Sequence, residues 1–399
     1  MLGLCLALFA IGAEPPAGPA FVRHAAGADD ARGAIQSIDK TWAVRLAGES
    51  EPTAGADLVS LRRADLQLPP YPATTQVIFA NGDRLAADVL GIENDQIRIR
   101  AAFADPPHHA NATQELTAPL AAVAEIWFQP PPENEAARPK PGERRRRDVM
   151  YLTNGDARTG TVVGMKSHTQ PLIFKEGSKE TQVDPMRLVA VAMNTDLART
   201  LRPRGPYGRL VLANGGRLSL LSATASGESL TGKTLFGPEV KVPIDQIISI
   251  DIRQGKAVYL SDLKPLRYEH TPFLGVRWSY EADRSVAGRD MRLGGHAFDK
   301  GVGMHSESRL TYALAGGYRW FKATVGLDDR TGQGGSVRVR VLVDGAEKDG
   351  NDNELTAATG PRTVRVDVAG AKELTLVVEF GSGGDVCDHV DWADARLVK

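Results

Sequence analysis

The chain has 399 residues, with 48 basic against 49 acidic side chains and a hydrophobic fraction of 42%. That length allows two or more domains with ordinary cores, and a net charge of −1 leaves no electrostatic footprint for nucleic acid. Beyond the first residues no apolar run is long enough to cross a bilayer, so no transmembrane segment is expected.

Residues 1–13 form an apolar run that ends in small residues ahead of Glu14-Pro-Pro, the pattern of a signal peptide. A secreted, periplasmic or cell-surface location follows. The usual positive n-region is absent, as it would be if the true start lay upstream. Cys5 falls inside this run and lacks the small residue just before it that a lipoprotein site needs. Its removal leaves Cys387 as the sole cysteine, which rules out an intramolecular disulfide in the mature chain. Stability must then come from core packing or a bound metal.

From about residue 20 to 255 the sequence repeats itself. Val77-Ile-Phe-Ala-Asn-Gly-Asp-Arg-Leu85, Met150-Tyr-Leu-Thr-Asn-Gly-Asp-Ala157 and Leu210-Val-Leu-Ala-Asn-Gly-Gly-Arg-Leu218 each run an apolar strand into Asn-Gly and out into a second strand. Asn-Gly is the strongest short-range hairpin signal, and it predicts two-residue type I′ turns with positive φ at both central residues. Each copy ends in an apolar phrase: Leu120 to Trp127, Met186 to Ala192, Val242 to Ile250. A weaker copy runs from Phe21 to Arg63. The expected units are 20–66, 74–129, 148–194 and 207–255, each of about five short strands that can close into a small SH3-like or Sm-like barrel. The Asn-Gly pairs are read as turn residues rather than ligands.

Two insertions interrupt the spacing. Residues 105–113 carry His108 and His109, which as sequence neighbours point apart on a strand and have no third ligand nearby; a solvated loop is expected. The same stretch matches the N-glycosylation acceptor pattern at Asn111-Ala-Thr113. Residues 130–147, rich in proline and closing on Arg144-Arg-Arg-Arg147, read as a linker whose charges serve solvation.

After residue 257 the pattern becomes period-two alternation. Val337, Val339, Val341 and Val343 share one face, then Val364, Val366 and Val368, then Leu374, Leu376, Val378 and Phe380. Many half-buried antiparallel strands without a helical period imply a β-sandwich. The fold class expected for the chain is therefore all-β, small barrels followed by a sandwich. Loops at the sandwich ends hold Asp328, Asp329, Asp349, Asp352, Asp385, Asp388, Asp391, Trp392 and Asp394, and such loops are where ligand groups concentrate. Sugar recognition needs hydrogen-bonding groups around an apolar platform. Trp392, Trp278, Tyr280, His305, Arg309 and Asp391 are the candidate residues, with a core role the alternative for Trp392.

The phrases Lys300-Gly-Val-Gly-Met-His-Ser306, Gly326-Leu-Asp-Asp329, Val343-Asp-Gly345 and Asp388-His-Val-Asp-Trp392 occur in order, and residues 257–399 resemble the NPCBM (NEW2-type) carbohydrate-binding module. The resemblance implies a galactose-binding-like jelly roll, a carbohydrate partner (a glycan or polysaccharide) and, since such folds often hold one, a structural calcium; Asp328 and Asp329 are its candidate ligands. Relatives sit on glycosidases. Here the repeats and the module use up nearly all the sequence, no large scaffold remains for a carboxylate pair, and no Gly-x-Ser-x-Gly elbow occurs. A non-catalytic binding protein is expected, with envelope-protein contacts through the barrels as the other reading.

Overall fold

A computed structural model describes residues 18–26, 29–104, 113–132, 143–199, 203–273, 275–315, 317–350 and 353–399. The segment read as a signal peptide, Cys5, the His108/His109 pair, Asn111, Asp352 and much of the segment read as a linker lie outside them. No helix among the described residues is long and apolar enough to cross a membrane. The fold is all-β, and among the described residues the only helical pieces are short 3-10 turns.

Each Asn-Gly repeat builds one strand cycle. In the second copy, Gln76–Phe79, Arg84–Glu93, Gln96–Ala102 and Thr113–Pro119 form a meander; a 3-10 turn, Leu120–Ala122, then feeds Val123–Trp127, which returns to pair with Gln76–Phe79. The copies beginning at Asp148–Leu152 and Tyr207–Leu212 follow the same course, each with its own 3-10 turn before the returning strand. The returning strands also join copies to each other. Val123–Trp127 pairs with Leu188–Ala192, and Ile247–Arg253 pairs with Leu58–Arg63 of the first copy. The four copies thus share one hydrogen-bonded network and one apolar core rather than standing as beads on a string.

The turns depart from the two-residue form. Gly82 donates to Phe79 O (2.9 Å), Gly155 to Leu152 O (3.0 Å) and Gly215 to Leu212 O (2.9 Å). Positive φ is confined to those glycines, at 85°, 87° and 83°; the asparagines before them are not in the left-handed region. The loop has three residues and ends in a left-handed glycine bulge. Asparagine acts through its side chain, its Oδ1 accepting from the amide two residues on: Asp83 (3.0 Å), Asp156 (3.2 Å) and Gly216 (3.0 Å).

The C-terminal segment is two sheets packed face to face. One holds Glu281–Ala282, Gly301–His305, His389–Val398, Trp320–Leu327 and Arg362–Asp367 in that order, with Ala257–Tyr259 also against His389–Val398. The other runs Arg267–His270, Ser308–Ala313, Glu373–Phe380, Ser336–Val343, Ala346–Gly350. Between them lie the alternating valines and leucines expected from sequence, together with Phe321 and Trp392. A hairpin, Met291–Leu293 with His296–Phe298, covers the outer face of the first sheet.

Repeats and sandwich meet through charge. Arg217, 1% exposed, donates through Nε and Nη2 to both oxygens of Asp299 (2.8 and 2.9 Å) and through Nη2 to Pro69 O (2.8 Å). Arg62 lies between Asp251 (3.5 Å) and Asp394 (3.1 Å). Val59, Ala257 and Val398 add a small apolar contact edged by Trp320.

A partly exposed tryptophan on a histidine base

The strands Gly301–His305 and His389–Val398 run antiparallel with His305 opposite His389 and Gly303 opposite Asp391. Met304, Val390 and Trp392 point into the core, so His305, His389 and Asp391 must point out from the other face. At the end of this face Trp278, from the loop after Arg267–His270, lies flat on His305: the ring centroids are 4.8 Å apart and the planes differ by 1°. His389 packs against both, 5.2 Å from Trp278 and 5.4 Å from His305, and His270 meets His305 edge-on at 6.1 Å.

One carbonyl sets this base. Ser306 O accepts from His305 Nδ1 (2.7 Å) and from His270 Nε2 (3.2 Å). Nδ1 of His270 and Nδ1 of His389 are buried without a hydrogen-bond partner. Burial lowers the pKa of all three imidazoles, and the neighbouring His305 lowers that of His389 further. All three are therefore neutral near pH 7, each ring keeping one nitrogen that donates and one that accepts. His305 is 3% exposed, whereas Trp278 remains partly open to solvent. On the neighbouring loops Phe273, Val276 and Val386 are each more than half exposed.

Behind the histidines Asp388 is fully buried, accepting from Ser306 Oγ (2.6 Å) and Ser336 N (3.0 Å). Burial pushes its pKa up to about 6 despite those two donors. It ties the loop after His305 to the strand Ser336–Val343.

The structure brings together two of the residues picked from sequence, Trp278 and His305. Trp392 is wholly buried against Phe321 (6.5 Å), which makes it core and not a platform. Tyr280 packs on Tyr268 at 5.3 Å and on the core edge. Arg309 lies on the second sheet, 3.9 Å from Glu379. Asp391 is also fully buried, beside Asp328; burial, then the Asp328 charge, raises its pKa well above the ordinary carboxylate value. Asp328 accepts from the amides of Arg330 (3.0 Å) and Arg292 (3.2 Å), and Asp329 from those of Gly294 (2.8 Å) and Gly295 (2.7 Å). Arg292, Gly294 and Gly295 belong to the covering hairpin, so Asp328 and Asp329 fasten it to the sheet. Among the described residues no group of three or more His, Cys, Asp or Glu side chains converges to hold a metal. His389 and His270 were not among the residues picked. The alternation of Val390 and Trp392 places His389 outward, but its pairing with His305 depends on a register that sequence does not print.

Residues 256–398 match the family model described as the NPCBM/NEW2 domain. The C-terminal sandwich is an NPCBM/NEW2 domain. The chain is 29% identical to the CBM51 module from Clostridium perfringens GH95, solved in complex with methyl-galactose, covering 36% of this chain and 99% of that one with a TM-score of 0.33. It is also 29% identical to CBM51-2 with INT domains from Clostridium perfringens ZmpB, solved in complex with GlcNAc, covering 43% of this chain and 36% of that one, again with a TM-score of 0.33. Over 111 residues it is 28% identical to a Renibacterium salmoninarum protein named "Putative endo-alpha-N-acetylgalactosaminidase", a match covering 28% of this chain. It spans 7% of that relative's length. The NPCBM/NEW2 domain therefore accounts for the sandwich and leaves the repeats outside the matched segment.

Proposed function

We propose that this is a non-catalytic secreted carbohydrate-binding protein whose NPCBM/NEW2 domain takes a galactose-type glycan against Trp278, with SH3-like repeats as its platform. The observation that carries this reading is the partly exposed indole stacked on a buried imidazole. A pyranose offers a C–H face that rests on an aromatic ring, and polar edges that need donors and acceptors close by. The histidine base holds the indole in one orientation before ligand arrives, which cuts the ordering cost of binding.

The exposed Phe273, Val276 and Val386 at the same end favour a second reading, a docking surface for an envelope protein. A glycan array probed with the full chain separates the two. Galactosides and GlcNAc, the sugars named for the similar modules, are the first ligands to score. Selective binding that survives a chelator supports the Trp278 site, whereas a blank array from cooperatively melting protein supports the protein-docking reading.

A further inference from the structure

We propose that the junction between the first repeat and the sandwich is a second binding site, for an acidic saccharide that presents its anionic group to Lys322 and Arg365 and its hydroxyls to Asp29 and Asp30. A cavity of about 530 Å³ lies there, bounded by Ala25, Asp29 and Asp30 on one side and by Arg319, Trp320, Lys322, Arg365 and Val398 on the other. That is within the size range of small-molecule sites, roughly 300–1,000 Å³.

Strand register supplies the first argument. Lys322 stands directly opposite Arg365 on one neighbouring strand and Arg396 on the other, so three cations form a rung across the outer face of the first sheet. Like charges placed opposite each other destabilise a sheet. Arg396 has Asp394 at 3.6 Å, but among the described residues neither Lys322 nor Arg365 has an ion-pair partner. Burial, then Arg396 and Arg365, lowers the Lys322 pKa, and Asp30 on the opposite wall offsets this only in part. An arriving anion would complete the balance of charge at the rung.

The second argument is orientation. The Arg365 guanidinium lies 4.1 Å above the Trp320 ring, and that of Arg319 is 5.6 Å from it. Stacking occupies the face of a guanidinium and leaves its N–H edge free for a carboxylate or sulfate. On the opposite wall Asp30 pairs with His24 at 2.9 Å. A bare inorganic anion gains from the rung but is repelled by the two aspartates. A ligand anionic at one end and rich in hydroxyls at the other satisfies both walls. The saccharide half of this assignment rests on the carbohydrate reading above; the anionic half rests on the rung alone.

The test is calorimetric titration of the full chain with digalacturonate, its neutral galactose disaccharide counterpart and sodium sulfate. It uses the wild type, the double variant Lys322→Gln/Arg365→Gln, and Trp278→Ala. The expected result is saturable digalacturonate binding that weakens with salt, falls at least tenfold in the double variant and is unchanged in Trp278→Ala. The double variant should melt at or above the wild-type temperature, because it removes like-charge repulsion. Four results would overturn the proposal: equal affinity for the neutral disaccharide, equal affinity for sulfate, loss of digalacturonate binding in Trp278→Ala alone, or no saturable binding up to millimolar ligand. Failure of the Trp278 reading shows separately, as neutral-glycan binding that Trp278→Ala leaves intact.

Discussion

Asp388 shows how one buried side chain sets a pH response. Its folded pKa of about 6 lies above the ordinary carboxylate value near 4, so between those values the native state binds more protons than the unfolded chain. Its contribution is therefore most favourable at acid pH and is lost as pH rises through 6. The imidazoles of His270, His305 and His389 have the opposite sign: their pKa values are lowered, and stability is lost as pH falls below the ordinary histidine value. Asp388→Asn keeps an acceptor for Ser336 N and removes the ionisation. The difference in unfolding free energy between variant and wild type should grow in the variant's favour from about pH 4 to 6 and then level off; a flat difference would show that Asp388 ionises freely in the fold. Side-chain types made this end of the sandwich legible as a ligand surface, and Trp278 and His305 could be picked from them. Trp392 could not be separated from core, because a tryptophan on an alternating strand fits either face until register is known.

At the scale of single elements, the Asn-Gly motif located each hairpin but not its geometry. The sequence cue is shared by two-residue and three-residue loops, and what decides between them is which amide closes the turn. Here the glycine amide closes it, and only glycine adopts the left-handed conformation. Gly155 has φ of 87° and nothing within 4 Å of where a Cβ would stand, so Gly155→Ala isolates backbone strain from crowding. The expected cost is about 1–2 kcal/mol, read as a lower denaturant midpoint with an unchanged m-value. A midpoint equal to wild type would mean that the turn relaxes to another form. The alternating valines of the sandwich were fully legible, since period two and burial on one face are the same statement.

For the whole molecule, the sequence showed four copies and a module but not how they associate. The returning strands join copy two to copy three and copy one to copy four through edges that no local pattern marks. The seam between repeats and sandwich was also hidden, because Arg217 and Asp299 are far apart in sequence and each resembles an ordinary surface charge. Removing one partner of a buried ion pair costs roughly 3–5 kcal/mol. Arg217→Met should thus split one cooperative thermal transition into two, with the sandwich and the repeats melting separately. Asp299, whose pKa the Arg217 charge holds at about 2 against the cost of burial, contributes stability above the ordinary carboxylate value that is lost as pH falls toward 2. In Arg217→Met that acid-sensitive contribution should disappear. A single unshifted transition would show that the seam carries no coupling.

The measurement closest to the central claim is calorimetric titration of the full chain, wild type and Trp278→Ala, with the strongest neutral glycan from the array. Binding to the wild type with one site per chain, weakened at least tenfold (about 1.4 kcal/mol) by Trp278→Ala at an unchanged melting temperature, is the predicted result. Undiminished binding by Trp278→Ala would contradict it, and would place the glycan somewhere other than on the histidine-backed indole.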